Sequence, residues 1–516
     1  MKHNSPADKS KNLMTRRKFI GTTAVAAASI SIVPRHVLGG AGFIPPSDKI
    51  TVANIGCGTQ GLREMTRLLE HPQVQIVAVC DPNKFTTNYL DWSPFEIRDK
   101  IRAAIEDPDW GADYQGIPGG RDIGQELVEK YYGKNTTSGE YYGCRSYEDY
   151  RELLDKEEDI DAIKIMTPDH HHAHLAIAAM EKGIHVITHK PIANRMSEGK
   201  LAIDMARKSN VKTHLLAWSE RPEYDFIRQW IDDGVIGQLK EIHNWSHRPV
   251  WEQWPVRPTD TPPVPEGFNW ELWLGPVPDM PYHPHYTHNV FRGWYDFGGG
   301  SIADMGHYSL FPLFLAFGIN RPPISAKAYG TTHRYVDGNT YLWVENDVSF
   351  PLSCLIQLSF PEQEDLPAFD LFWYDGGMKP FIPEELREDN RDMPDEGMMF
   401  VGDKGKILAG FRGDQPEIIP ARLMEDYDGE KEIPDRENGD RGTDKRTDTW
   451  VTAIKNDEES PGSFIHAGPV TEAINLAAVA LRAKKKIDYD SEDMKITNDE
   501  EANKYLTREY RTGWEL

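Results

Sequence analysis

Lys49-Ile-Thr-Val-Ala-Asn-Ile-Gly56-Cys-Gly58-Thr-Gln-Gly61-Leu-Arg-Glu-Met65 reads as a buried strand, a glycine turn and the first turn of a helix. A second apolar run, Val74-Gln-Ile-Val-Ala-Val-Cys80, follows and ends at Asp81, twenty residues after Gly61. Glycine at the first position permits a tight turn, the second lets the backbone approach a pyrophosphate, and the third allows close helix–strand contact. Gly56, Gly58 and Gly61 hold these places, and Thr59 and Gln60 open the helix whose N-terminus would face the phosphates. A carboxylate at the end of the second strand accepts hydrogen bonds from ribose hydroxyls. It repels a 2′-phosphate, so Asp81 favours NAD over NADP.

Working outward, the strand–helix alternation continues after a long polar stretch, residues 84–143, which reads as an insertion. Tyr147 to Lys156 is expected to be helical and Ile160 to Met166 a strand. Thr167-Pro168-Asp169-His-His-His172 opens a helix that stops at Gly183. The next strand, His185 to His189, ends at Lys190-Pro191. A helix from Ser197 to Ser209 and a strand from Val211 to Ala217 complete the series. Such alternation predicts a doubly wound parallel sheet with its ligand at the strand C-termini. The expected boundaries are 48–216 for this Rossmann domain and 217–516 for a second, substrate-binding α+β domain. Residues 324–410 alternate apolar and polar side chains, as in an open, mainly antiparallel sheet. The tail to Trp514 is expected to pack back on the first domain.

At 516 residues the chain exceeds what one core usually supports. Its net charge of −24 argues against nucleic acid or an anionic membrane surface as partner. Residues 1–40 are basic, and without them the net charge is about −30. Thr15-Arg16-Arg17-Lys18-Phe19-Ile20 followed by an Ala/Thr/Ser-rich apolar stretch to Val33 resembles a twin-arginine export signal. That stretch is too short to span a bilayer. Residues 1–42 are therefore expected to act as signal and linker. They would engage the twin-arginine translocation machinery and leave a periplasmic or otherwise exported product without membrane insertion. Cys57, Cys80, Cys144 and Cys354 show no metal spacing, and no metal site is expected.

The order Gly56-x-Gly58-x-x-Gly61, Asp81, Thr167-Pro168-Asp169-x-x-His172 and Lys190-Pro191 resembles the Gfo/Idh/MocA family of oxidoreductases. In that family a Glu-Lys-Pro motif closes the cofactor domain and its lysine faces the substrate. Here His189 stands where the glutamate is usual. The resemblance implies that Thr167, Pro168, His172 and Lys190 line the cofactor.

Gly298-Gly-Gly-Ser301-Ile-Ala-Asp304-Met-Gly-His307 then opens an apolar helix. Spacing alone equally fits a capping box, Ser301-x-x-Asp304, beside a satisfied core histidine. The resemblance turns Asp304 and His307 into a catalytic pair with Lys190, on one helix face. Trp294 and Tyr295 just upstream, together with His288, become candidates for substrate contact. The Trp-, Pro- and His-rich segment 245–295 fits either a loop framing a sugar or a packed surface loop.

Oxidation of a carbinol needs a proton acceptor and a charge beside the developing alkoxide. Lys190 would stabilise the alkoxide, His307 would take the proton, and Asp304 would orient either partner. Free NAD is scarce outside the cytoplasm, so an exported chain should keep its cofactor. Three readings follow: an exported NAD-dependent oxidoreductase acting on a sugar, cyclitol or sugar derivative; a redox-neutral NAD-dependent glycoside hydrolase or lyase; and a non-catalytic sugar- or NAD-binding protein. The open sheet face makes a homo-oligomer the expected assembly.

Overall fold

The computed structural model describes residues 48–425, 427–429 and 445–516. Residues 1–42, expected from the sequence to be an export signal and linker, lie outside the described residues. Ile50–Leu516 forms one compact unit.

The first sheet has six strands: β1 Ile50–Ile55, β2 Val74–Cys80, β3 Arg145–Tyr147, β4 Ala162–Ile165, β5 His185–Thr188 and β6 Thr213–Leu215. They run in the order β3-β2-β1-β4-β5-β6, all parallel. β4 is buried along its whole length, as a strand covered on both faces must be. The order reverses between β1 and β4. The C-terminal ends of these two strands therefore flank the crevice in which ligands of such sheets bind.

The second sheet begins with β7 (Leu239–Trp245) and β8 (Ser325–Gly330). A separate hairpin, β9 (His333–Asp337) and β10 (Thr340–Val344), projects after it. The sheet is completed by β11 (Cys354–Phe360), β12 (Phe369–Tyr374), β13 (Gly397–Gly402), β14 (Lys406–Ala409), β15 (Glu417–Ile419), β16 (Ile487–Asp490) and β17 (Lys495–Ile496). The order is β15-β14-β13-β7-β12-β11-β8-β16-β17, antiparallel except for β7 with β12. Along β11, Cys354, Ile356, Leu358 and Phe360 are buried while the residues between them are half-exposed. One sheet face thus carries the core and the other stays open.

The two sheets do not hold separate cores. Helix Gly468–Ala483 packs against helix Met196–Lys208 of the first layer and against β8 and β11 of the second. A single apolar cluster runs from Ile163 and Val186 through Ile474 and Ala477 to Phe314 and Leu358. The C-terminal tail is held on the first layer. The Trp514 carbonyl lies 3.1 Å from His174 Nε2, and the Arg508 guanidinium forks onto the buried Glu198 carboxylate.

Part of the stretch read as an insertion is an integral crossover. Helix Arg121–Gly133 buries Leu127 and Val128 against β2 and links it to β3. Its glycine and paired tyrosines masked the helical period in the sequence. The true addition is the segment from Pro82 to Gly120, with its own helix Glu96–Ile105.

Candidate active site

The glycine turn follows β1. Gly56 sits at φ +101°, and a Cβ there would stand 2.5 Å from the Met166 carbonyl oxygen. A Cβ on Gly61 would stand 2.1 Å from the Gly56 oxygen. Neither position admits another residue without moving the backbone. Asp81 Oδ2 accepts the Cys57 N–H at 2.7 Å and Oδ1 accepts that of Asn83 at 2.8 Å. Burial nevertheless raises the Asp81 carboxyl to about 6, against the pull of these two amides. A backbone cradle at a helix N-terminus beside an oriented carboxylate fits a dinucleotide.

A strap from the added segment crosses this cradle. The Tyr89 ring reaches to within 2.9 Å of where a Gly58 Cβ would be and packs on His288, with ring centroids 4.3 Å apart. Thr59 Oγ1 donates to the Leu90 carbonyl at 2.8 Å, and Asp91 pairs with Arg63 at 2.5 Å. Trp92 lies under Arg248, 4.9 Å from its guanidinium. The strap thereby ties the first layer to the segment after β7.

An open cleft of about 870 Å³ runs from this cradle into the second layer. Gly56, Gly58, Thr59, Gln60, Gly61, Asp81, Thr167, Pro168, Lys190, His288 and Asp304 all line it. Lys190, at the end of β5, is almost wholly buried, and its Nζ donates to Asp304 Oδ1. Arg292 Nε lies 3.3 Å from the same oxygen. Burial opposes ionisation of Asp304, but Lys190 and Arg292 outweigh it and hold the carboxyl at about 2.

Asp304 belongs to a π-helical turn, Ile302–Gly306, that leads into helix His307–Phe317. Ser301 does not cap it; its hydroxyl donates to the Asp375 carboxylate. The wider turn corrects the expectation of a shared face. Asp304 and Tyr308 reach the cleft, whereas His307 is fully buried beneath its floor. With the Ala303 carbonyl 3.0 Å away, His307 Nδ1 carries the proton and donates. Nε2 is left a buried acceptor with no partner among the described residues. Burial, reinforced by Lys190, lowers this imidazole to about 3 despite that hydrogen bond. It is neutral at working pH through desolvation.

Three further expectations are corrected. Trp294 is only 1% exposed, and its indole N–H donates to the His285 carbonyl at 2.7 Å. Tyr295 packs on Phe350 at 4.4 Å, and its amide donates to Val348 at 3.0 Å. Neither lines the cleft, because large aromatic rings bury most area by packing inward, Trp294 among Trp273, Tyr286 and Phe297 and Tyr295 in the main core. His172 also stays off the wall. Its ring nitrogens lie 2.6 Å from the Pro191 carbonyl and 2.8 Å from that of Thr167, so it pins the ends of β4 and β5 together. His170 and His171 both meet the Trp273 carbonyl.

Sequence reasoning missed the cleft arginines. Arg248, Arg292, Arg412 and Arg446 all line it, as does Tyr308. Arg292 and Tyr308 adjoin the recognised motif and could have been found beside it. Arg412 comes from the turn after β14 and Arg446 from the first turn of helix Lys445–Asn456, remote stretches that carry no recognised motif.

Two family models match this chain. One, described as the oxidoreductase family, NAD-binding Rossmann fold, covers residues 123–216. The other, the oxidoreductase family, C-terminal alpha/beta domain, covers residues 227–328 and 331–516. The chain therefore belongs to the Gfo/Idh/MocA oxidoreductase family and carries its NAD-binding Rossmann domain and its C-terminal domain. Levoglucosan dehydrogenase of Pseudarthrobacter phenanthrenivorans is 30% identical over 135 residues, 25% of this chain and 32% of that one. A glycosyl hydrolase family 109 protein of Shewanella pealeana is 25% identical over 244 residues, 44% of each chain. The chain thus matches about a third of the first of these relatives and under half of the second. Among solved structures, the WlbA dehydrogenase from Chromobactrium violaceum in complex with NADH and UDP-GlcNAcA shares the fold. Its TM-score is 0.50 at 14% identity, with 86% of this chain and 97% of that one covered.

Proposed function

We propose that the chain is an exported NAD-dependent oxidoreductase that acts on a CH–OH group of a sugar, cyclitol or sugar derivative and keeps its cofactor. The observation that carries this reading is the buried Lys190–Asp304 pair in a cleft continuous with the glycine cradle. Lys190 Nζ binds the substrate hydroxyl and stabilises the alkoxide as its C–H bond breaks. The hydroxyl proton passes by way of Lys190 to solvent in the open cleft, because His307 lies beneath the floor and does not reach the substrate. Asp304 compensates the lysine charge and orients its head. NAD, when bound, supplies the hydride acceptor. The strap over Gly58 supports retention, because release requires Tyr89 to leave His288. The basic, twin-arginine N-terminus supports export through that machinery. A homo-oligomer through the open face of the second sheet completes the proposal.

Lys190→Ala should lower turnover by at least about a thousandfold while NAD stays bound. The readouts are steady-state kinetics and the NAD released on denaturation. Unchanged turnover would move the site elsewhere. A second reading, redox-neutral glycoside cleavage, is favoured by the family 109 likeness. Release of aglycone from aryl glycosides without added cofactor would select it.

A further inference from the structure

The wall of the cleft beyond Lys190 holds positive charge that neither the cofactor nor the lysine–aspartate pair uses. The Tyr308 ring is its centre. The Arg412 guanidinium lies 4.7 Å from the ring centroid, that of Arg446 5.7 Å, and Lys190 Nζ 5.1 Å. His189 Nε2 stands 3.3 Å from the Tyr308 hydroxyl. It occupies the place where the family's usual glutamate would have supplied a counter-charge.

The acids nearby are already engaged. Asp304 pairs with Lys190 and Arg292, Asp414 with Arg221 at 2.9 Å, and Glu64 with Lys164 and Arg67. Arg446, 6% exposed, donates Nε to the Trp218 carbonyl and forms no ion pair among the described residues. Arg412 forms neither a hydrogen bond nor an ion pair among them. Burial lowers the affinity of both guanidinium groups for their protons. Two desolvated cations facing one cavity repel each other, and the nearest carboxylates among the described residues, Asp414 and Glu64, already pair with other cations. In a chain of net charge −24 their concentration there is not a general surface property.

The dinucleotide pyrophosphate does not explain them. Its cradle lies at the end of β1, whereas the arginine pair adjoins His189 and Leu216 at the ends of β5 and β6. At about 4.8 Å per strand, β6 is roughly 14 Å from β1.

We propose that the substrate carries an anionic group, a carboxylate or a sulfate or phosphate ester, seated between Arg412 and Arg446 against Tyr308; this rests on the oxidoreductase assignment above. The planar forks of the two arginines present paired N–H groups to such an oxyanion. The reacting carbinol then falls at Lys190, one strand end away. The substrate class is thus an acidic sugar, not a neutral one.

The test uses the purified holoprotein and the nicotinamide absorbance. Methyl glucuronide is compared with methyl glucoside, and glucose 6-sulfate and glucose 6-phosphate with glucose. The expected result is a second-order rate of reduction of the bound nicotinamide at least about tenfold higher for an acidic member of a pair, as a charge-assisted contact supplies. The carboxylate and ester arms tell the two anion sources apart. Arg412→Gln should reduce that ratio to about unity with NAD content unchanged. Arg412→Lys, which keeps the charge and loses the fork, should give an intermediate ratio and serves if the glutamine variant does not fold.

Equal reaction of acidic and neutral sugars would overturn the proposal and leave the oxidoreductase reading standing. If no sugar reacts, that reading falls, and thermal shift of the holoprotein decides the anion site. Stabilisation by glucuronate but not glucose, lost in Arg412→Gln, upholds it, and equal response overturns it. Loss of NAD from Arg412→Gln would assign the arginine to the cofactor and also overturn it.

Discussion

Asp81 shows how one side chain couples folding, pH and cofactor. Its folded value of about 6 lies above the ordinary carboxylate value, so the empty fold prefers the protonated acid. The empty protein should therefore lose about 3 kcal/mol from this group as pH rises from about 4 through 6. Ribose hydroxyls are accepted by the ionised form. NAD affinity should accordingly fall about tenfold between pH 7 and pH 5, read by titration of the stripped protein. A flat profile would show that Asp81 does not meet the ribose. Asp304 has the opposite sign. Held at about 2, it contributes stability present above its ordinary value and lost only as pH falls through 2. His307, at about 3, stays neutral through pH 5–9 and should place no acidic limb on the rate profile in that range. At this scale Gly56, Asp81 and Lys190 were legible because each sits where a strand ends and a motif marks the place. Trp294 and Tyr295 were misread because a sequence shows that a ring is present but not which layer buries it.

Among the elements, the glycine turn and the strap over it make opposite demands. The turn tolerates no side chain at Gly61. Gly61→Ala drives a Cβ into the Gly56 carbonyl, and should cost about 1–3 kcal/mol and most of the NAD affinity. Urea denaturation and cofactor titration check both. The strap should be less stringent. Tyr89→Ala removes the contact with His288 and opens the space over Gly58, so NAD should dissociate several-fold faster while the melting temperature changes little. An unchanged off-rate would separate the strap from retention. Strand and helix periods revealed the six parallel strands. They could not reveal the π turn at Ile302–Gly306, because its extra residue per turn leaves no composition signal. That turn replaces His307 by Tyr308 on the cleft wall.

The whole molecule depends on contacts between remote segments. Arg508, from the tail, meets Glu198 on helix Met196–Lys208, with both side chains buried. Arg508→Met leaves that carboxylate unpaired and should cost about 3–5 kcal/mol, seen as a lower urea midpoint. A change within 0.5 kcal/mol would show that the tail is only loosely held. Local patterns along the chain were enough for the parallel sheet, the open, mainly antiparallel second sheet, the dinucleotide cradle and the family. These are written in local periods, glycine positions and short motifs. That the two sheets share one core, that a strap crosses the cradle and that Arg412 and Arg446 face Tyr308 emerged only from the folded arrangement. The physical reason is separation along the chain. Local preference fixes an element within a dozen residues, whereas burial chooses which distant side chains meet, and no local pattern records that choice.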